Sequence, residues 1–293
     1  MVDIRRPATF ARVPEHSRPD RSHRSHRLHR LHLDNRTLAY ADHGGPGTPL
    51  LALHGTFGRG AVFDRLAADL GDLARVIAPD QRGHGRSDRA ASYTREDFVD
   101  DAARLLHHLD LGPVVVLGHS LGGTTAHQLA ARRPDLVEAL VIEDIGPVTR
   151  RPEVPHPVLD VRGWPDRAPT RSALKAAIEA QGVPDAGYFA LSAVEAGDHW
   201  RLLFDWDDMV EVQRHGAGDW WPDWLASTCP ALLLRGEHSP LLPADLARRA
   251  ATRRPNTHLV EVPGAGHWIH DDAPTELAEA VAEFLRALQR TRR

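Results

Sequence analysis

One cysteine, Cys229, and one lysine, Lys175, occur in 293 residues. A lone thiol excludes an intrachain disulfide framework, and a reducing, cytoplasmic setting is the expectation. Cys229 precedes an apolar run and reads as a small buried side chain, not as a nucleophile. Positive charge is almost all arginine and does not accumulate, because 36 Lys and Arg stand against 40 Asp and Glu, for a net charge of -4. That balance supplies no field for a phosphate backbone, so nucleic acid is excluded as the main partner. Nowhere do about 18 apolar residues run together, so no membrane-spanning helix is expected.

What is present begins with a segment unlike the rest. Residues 1–27 are rich in arginine and histidine, as in Arg21-Ser22-His23-Arg24-Ser25-His26, and read as a flexible tail. The Arg5-Arg6 pair has no apolar stretch of signal length behind it, which argues against export. Its histidines have no scaffold to preset a metal geometry.

From residue 28 the pattern is regular. Residues 28–33 and 37–41 read as a hairpin around Asp34-Asn35. Short apolar runs at 50–53, 76–78, 114–117 and 139–142 then alternate with helical periodicity at 62–70, 95–109 and 121–132. Such alternation means crossover units and a mostly parallel sheet. It stops near Gly146 and resumes near Ala231, where 231–234 and 258–262 read as the last two strands before a helix over 275–288. The interval is an insertion, and it holds six of the seven tryptophans.

Gly118-His119-Ser120-Leu121-Gly122 fits G-x-S-x-G, a sharp strand-to-helix turn that pushes a serine hydroxyl out at the carboxyl edge of the sheet. The match gains its force from context, since an apolar strand ends just before it and a helix starts just after. A serine hydroxyl is a weak nucleophile and needs a base oriented by an acid. His267, in Gly264-Ala265-Gly266-His267-Trp268 between the last strand and the last helix, is the candidate base, and His270 its competitor.

Two further segments, His54-Gly55-Thr56-Phe57-Gly58 and Asp80-Gln81-Arg82-Gly83-His84-Gly85-Arg86-Ser87, complete a set of four ordered motifs. With them the chain resembles the α/β-hydrolase superfamily, and its small esterases in particular, over residues 28–288. The resemblance implies an α/β-hydrolase fold: a mostly parallel eight-stranded sheet flanked by helices, formed by 28–146 and 228–293, with a mainly helical cap inserted at 147–227. It implies an oxyanion hole made by the backbone N–H groups of Leu121 and Thr56, with Phe57 the weaker alternative donor. Arg82 and His84 read as structural, fixing the loop beside the site.

The acid departs from the family's commonest pattern. Gly236-Glu237-His238-Ser239-Pro240 follows the seventh predicted core strand, and a serine stands where an aspartate is usual. Some members that the chain resembles carry the acid after the sixth strand, where Glu143-Asp144-Ile145-Gly146-Pro147 lies. Asp144 is the first choice, Glu237 the second and Glu143 the third.

These assignments imply hydrolysis of a small apolar ester or lactone through an acyl-enzyme, with no metal and no organic cofactor. C–C bond hydrolysis, thioester cleavage and acyl transfer run on the same triad. A receptor that keeps the pocket without turnover is the reading from another class. A serine at 120 excludes the relatives whose nucleophile is aspartate. Phe57, Trp206 and Trp268 are the expected substrate-binding residues, although each tryptophan of the insertion is at least as well explained by packing.

Overall fold

The computed structural model describes residues 27–183 and 185–291. The tail expected over residues 1–27 lies outside them, except for residue 27, which already belongs to the first strand. Eight strands form one sheet: β1 (Arg27–Leu33), β2 (Arg36–Asp42), β3 (Thr48–Leu53), β4 (Ala74–Pro79), β5 (Val114–His119), β6 (Val137–Glu143), β10 (Ala231–Gly236) and β11 (Thr257–Val262), where β7 to β9 belong to the insertion. Their spatial order is β1-β2-β4-β3-β5-β6-β10-β11, with β2 antiparallel to both of its neighbours and every other pair parallel. This is the α/β-hydrolase architecture that the motifs imply.

Continuous apolar runs mark the central strands because both faces are covered. Side chains alternate along them: Leu50, Ala52, Val115 and Leu117 enter one core, and Leu51, Leu53, Val114 and Val116 the other. The first core receives α1 (Asp64–Leu70) and the last helix, α10 (Pro274–Thr291), whose Leu277, Val281, Phe284 and Leu285 are buried at helical spacing. The second receives α2 (Arg95–His108), α3 (Leu121–Arg132) and α8 (Ala244–Arg253). The run read as one helix over 62–70 begins instead as a 3-10 turn at Gly60–Phe63. Thr94 caps α2 in a capping box with Asp97.

The insertion holds four helices, α4 (Arg171–Glu179), α5 (Gly187–Leu191), α6 (Trp206–Gly216) and α7 (Trp221–Ala226). It also holds a small antiparallel sheet, ordered β7-β9-β8, that the sequence reading lacks: β7 (Arg167–Ala168), β8 (Ala193–Ala196) and β9 (His199–Leu202). Two of its tryptophans are fasteners. The buried Trp224 donates from Nε1 to the Ala250 carbonyl on α8 at 3.0 Å, and Trp220 donates to Thr149 Oγ1 at 3.0 Å. No helix of the described residues is long and apolar enough to cross a membrane.

Candidate active site

Three adjacent parts of the carboxyl edge carry the predicted residues. Ser120 follows β5, Asp144 follows β6, and His267 lies in the loop between β11 and α9 (Ile269–Asp272). Open parallel sheets bind ligands at this edge.

The turn at Ser120 explains its glycines. Ser120 has φ 52 and ψ -116, a conformation that L side chains seldom adopt. A Cβ on Gly118 would lie 2.2 Å from the Gly122 oxygen, and one on Gly122 would lie 2.0 Å from the Leu53 oxygen. Only glycine lets α3 start this close to β3 and β5. The Ser120 N–H donates to the Glu143 carbonyl at 3.0 Å, which ties the turn to β6.

Asp144 is fully buried and serves as a common acceptor. Its Oδ2 takes the His267 Nδ1 proton at 2.8 Å and a hydrogen bond from the Ser239 hydroxyl, and its Oδ1 takes the Gly236 N–H at 2.9 Å. Ser239, the serine that stands where the commonest pattern would put an aspartate, thus donates to Asp144. β6 neighbours β10, with Glu143 in register with Leu234, so a carboxylate leaving β6 needs to cross only one strand spacing.

The other two acid candidates go elsewhere. Glu237 is about half exposed and accepts the Gly264 N–H at 2.8 Å, closing the turn before His267. Glu143 is buried and binds His270, through Nδ1 at 2.7 Å and the backbone N–H at 2.9 Å. His270 is buried and does not line the cavity that Ser120 and His267 share, which sets it apart from the base. His119 lies between the two histidines: its Nε2 donates to the His267 carbonyl at 3.0 Å, and its ring centroid is 4.6 Å from that of His267 and 4.8 Å from that of His270. Burial first, then the neighbouring imidazoles, keep His119 well below the ordinary histidine range and so neutral. Sequence spacing gives no signal for this cluster, because His270 and Glu143 are 127 positions apart.

Ser120 and His267 open onto one cavity of about 570 Å³, together with Thr56, Phe57, Leu121 and Trp268. Val154, Leu159, Val183, Phe189 and Val212 of the insertion form much of its far wall. Among the described residues lining it there is no arginine and no lysine, while Asp185 and Asp272 are present. The Leu121 N–H is the first of α3 and has no partner within the helix, and Thr56 lies in the loop after β3.

Trp206 is a correction. It is buried among Phe57, Phe204, Phe189 and Trp164, with ring centroids 5.0 to 6.3 Å away, and does not line the cavity. As the first residue of α6 it turns inward with Met209 and Val210. Of the three expected substrate contacts, Phe57 and Trp268 line the cavity. Arg82 is buried on Asp101 and the Ser92 and Asp97 carbonyls, a structural position. His84 is fully buried nearby and bonds the Arg82 carbonyl at 2.8 Å.

A family model described as the alpha/beta hydrolase family matches residues 50–280. The chain is 31% identical to the 2-(acetamidomethylene)succinate hydrolase of Mesorhizobium japonicum over 254 residues, 83% of this chain and 90% of that one. It is 32% identical to the sn-1-specific diacylglycerol lipase ABHD11 of Mus musculus over 250 residues, 80% of each chain. Among solved structures it resembles E-2-(acetamidomethylene)succinate hydrolase with a TM-score of 0.80 at 29% identity, covering 89% of this chain and 99% of that one. A marine microorganism esterase matches with a TM-score of 0.72 at 26% identity, covering 84% and 98%.

Proposed function

The chain belongs to the alpha/beta hydrolase family, and from that premise we propose that it is a serine hydrolase cleaving a neutral, largely apolar carboxylic ester, open-chain or lactone. The observation that carries this reading is the 2.8 Å bond from His267 Nδ1 to Asp144, with Ser120 and His267 facing the same apolar cavity.

In this mechanism the Ser120 Oγ attacks the ester carbonyl carbon while His267 Nε2 accepts its proton. The bond to Asp144 fixes the tautomer that leaves Nε2 free, and the carboxylate stabilises the imidazolium that forms. Charge develops on the carbonyl oxygen in the tetrahedral intermediate. The N–H groups of Leu121 and Thr56 receive it, worth about 3–4 kcal/mol per donor. His267 then protonates the leaving alcohol, and water, deprotonated by the same imidazole, releases the acid from Ser120. The inserted segment acts as a cap whose apolar wall holds the acyl or alcohol part. A single free cysteine accords with a cytoplasmic location.

Cavity charge favours an ester over the substrate named for the Mesorhizobium relative, which contains a succinate, a dicarboxylate. Two carboxylates and no arginine or lysine line the described cavity. Asp185 is itself paired with Lys175 at 2.9 Å, so the weight falls on the missing cation: an anionic substrate would find no arginine or lysine on the cavity wall to pair with. A short neutral p-nitrophenyl ester is expected to exceed an anionic hemisuccinate ester in kcat/KM by about tenfold or more.

The test is labelling with a fluorophosphonate and turnover of p-nitrophenyl esters, with Ser120→Ala alongside. Labelling at Ser120 and a loss of at least about 10^4-fold in kcat for the variant are expected. Undiminished turnover by folded Ser120→Ala would remove the mechanism, and saturable ligand binding without turnover in the wild type would favour a receptor.

A further inference from the structure

Close in sequence to Ser120, Asp144 and His267 stand His119, Glu143 and, three positions on, His270. These three meet beside the site, 1%, 0% and 6% exposed, with His119 also on the cavity lining. Glu143 and His270 are bonded twice, and His119 bonds the backbone of His267. Donor atoms of these three side chains lie within 4.8 Å of one another, which raises the question of what sits among them. The gap between His270 Nδ1 and Glu143 Oε1 is 2.7 Å. Tetrahedral zinc with ligands at ~2.0–2.2 Å needs them ~3.3 Å apart, so the gap suits a proton and not a metal ion.

We propose that His119, Glu143 and His270 are a second, buried set of positioning residues. His119 ties the nucleophile turn to the His267 loop, and the His270–Glu143 ion pair anchors that tie while keeping net charge away from His267. The proposal rests on the Ser120–His267 reading for its kinetic consequence, but the state of the pair can be read independently of turnover.

Charge bookkeeping supports the pair. A fully buried carboxylate without a partner is strongly disfavoured, and His270 is the cation within reach. Burial works against a charged imidazole, but the Glu143 carboxylate, with Asp271 and Asp272 further off, outweighs it and holds His270 above the ordinary histidine range. The groups facing His270 are Glu143 from β6, His119 from β5, Tyr188 from α5, and Asp271 and Asp272 from α9. Tyr188, itself buried, is held neutral by burial and by Glu143. One cation and one anion therefore cancel directly beneath the neutral His119.

His270→Asn keeps a donor toward Glu143 and deletes the cation. With the Asn amide and the residue-270 N–H still donating to it, the Glu143 carboxylate keeps two hydrogen-bond partners and stays ionised, within roughly 10 Å of His267, where it favours the protonated base and moves the acid limb of kcat/KM up by about one pH unit. Glu143→Gln keeps the acceptor for His270 and deletes the anion, and the double variant deletes both charges. In these two the limb is expected to stay within about 0.3 unit of wild type. A merely structural role predicts losses of stability with an unmoved limb in all three. Nitrogen-15 NMR of the wild type at pH 7.5 supplies the direct readout: His270 protonated on both ring nitrogens, His119 neutral with its proton on Nε2. A neutral His270 at that pH, or an acid limb unmoved in folded His270→Asn, overturns the proposal. Failure of p-nitrophenyl ester turnover in the wild type would instead count against the hydrolase reading and leave the NMR result to stand alone.

Discussion

Asp144→Asn separates an acid that orients the base from one that only braces the fold. Three donors converge on the wild-type carboxylate: Gly236 N–H, the Ser239 hydroxyl and His267 Nδ1–H. An asparagine offers one acceptor oxygen and one amide. If the oxygen keeps the Gly236 N–H, the amide faces Ser239 and His267, and the imidazole must accept through Nδ1. Its proton then sits on Nε2, which can no longer take one from Ser120. The expected loss is about 10^4-fold in kcat with KM little changed. The cost in stability is much smaller, about 1–2 kcal/mol, because most of the buried polar atoms find a partner. Asp144→Ala strands three donors and should cost about 3–6 kcal/mol as well as activity. The swap Asp144→Ser with Ser239→Asp moves the carboxylate to the loop after β10 and should recover at least about tenfold over Asp144→Asn. Steady-state ester hydrolysis and thermal melts on the same preparations measure both quantities. A folded Asp144→Asn enzyme with more than a tenth of wild-type kcat would refute the argument.

Other consequences divide packing from recognition. Trp206→Ala should lower stability by about 3–5 kcal/mol in melts while leaving the preference among acyl lengths unchanged, since the ring packs behind Phe57 and not on the cavity. Trp268→Ala, which opens the cavity wall, should shift that preference. An acyl-length profile that moves with Trp206 and not with Trp268 would contradict the assignment of the wall. Acid stability follows from the buried neutral histidines, His119 already among them. Burial is the leading cause that lowers His54 to about 4, His84 to about 3 and His127 to about 3. Unfolded, they take up protons below about pH 6.5 that the folded chain cannot bind, so their stabilisation is complete above that pH and lost as pH falls. Each contributes ~1.4 kcal/mol per pH unit, or about 6 kcal/mol for the three by pH 5. His270, shifted the other way, is already charged in the fold over that window and adds only a small opposite slope near pH 6.5, where its unfolded imidazole is still taking up its proton. Melting temperatures should fall steeply from pH 6.5 to 5, and a flat profile would show that these histidines are not buried neutral.

Much of the core was legible because local signals and global burial agree there. Residues 50–53 and 114–117 are apolar at every position but must serve two cores at once, and the strands in the structure put alternate side chains into each. The candidate acid was legible through a vacancy: Ser239 in the usual slot sends the search one strand over, to the Asp144 that His267 bonds. The insertion was less legible. Its β8 to β9 hairpin turns at Gly197-Asp198, a two-residue turn signal flanked by Val194 and Trp200, yet strands of four residues give too few periods to stand out. Trp206 illustrates another limit, since composition brings tryptophans to a segment without saying which way each one faces. The His119, Glu143 and His270 cluster was hidden because its members meet only after three strand ends are brought together.

Backbone strain gives independent grounds for placing function at this edge. Among the described residues six that are not glycine have positive φ: Asp34, Phe57, Asp110, Ser120, Asp144 and Asn256. Asp34, Asp110 and Asn256 lie in turns away from the cavity, and aspartate and asparagine tolerate this region. Phe57 and Ser120 are types that do not, and both line the cavity, while Asp144 stands directly behind His267. Such conformations cost about 1–3 kcal/mol each and persist only where surrounding contacts over-determine them. Here the restraint is visible, in the Ser192 hydroxyl on the Phe57 carbonyl at 2.7 Å, the Ser120 N–H on β6, and the Asp144 N–H on the Leu234 carbonyl at 2.9 Å. A fold seeking stability alone would place glycine at 57 and 120. Keeping larger residues there is intelligible if the turn at 120 must present a hydroxyl to His267 and the loop at 57 must aim its N–H groups into the same cavity.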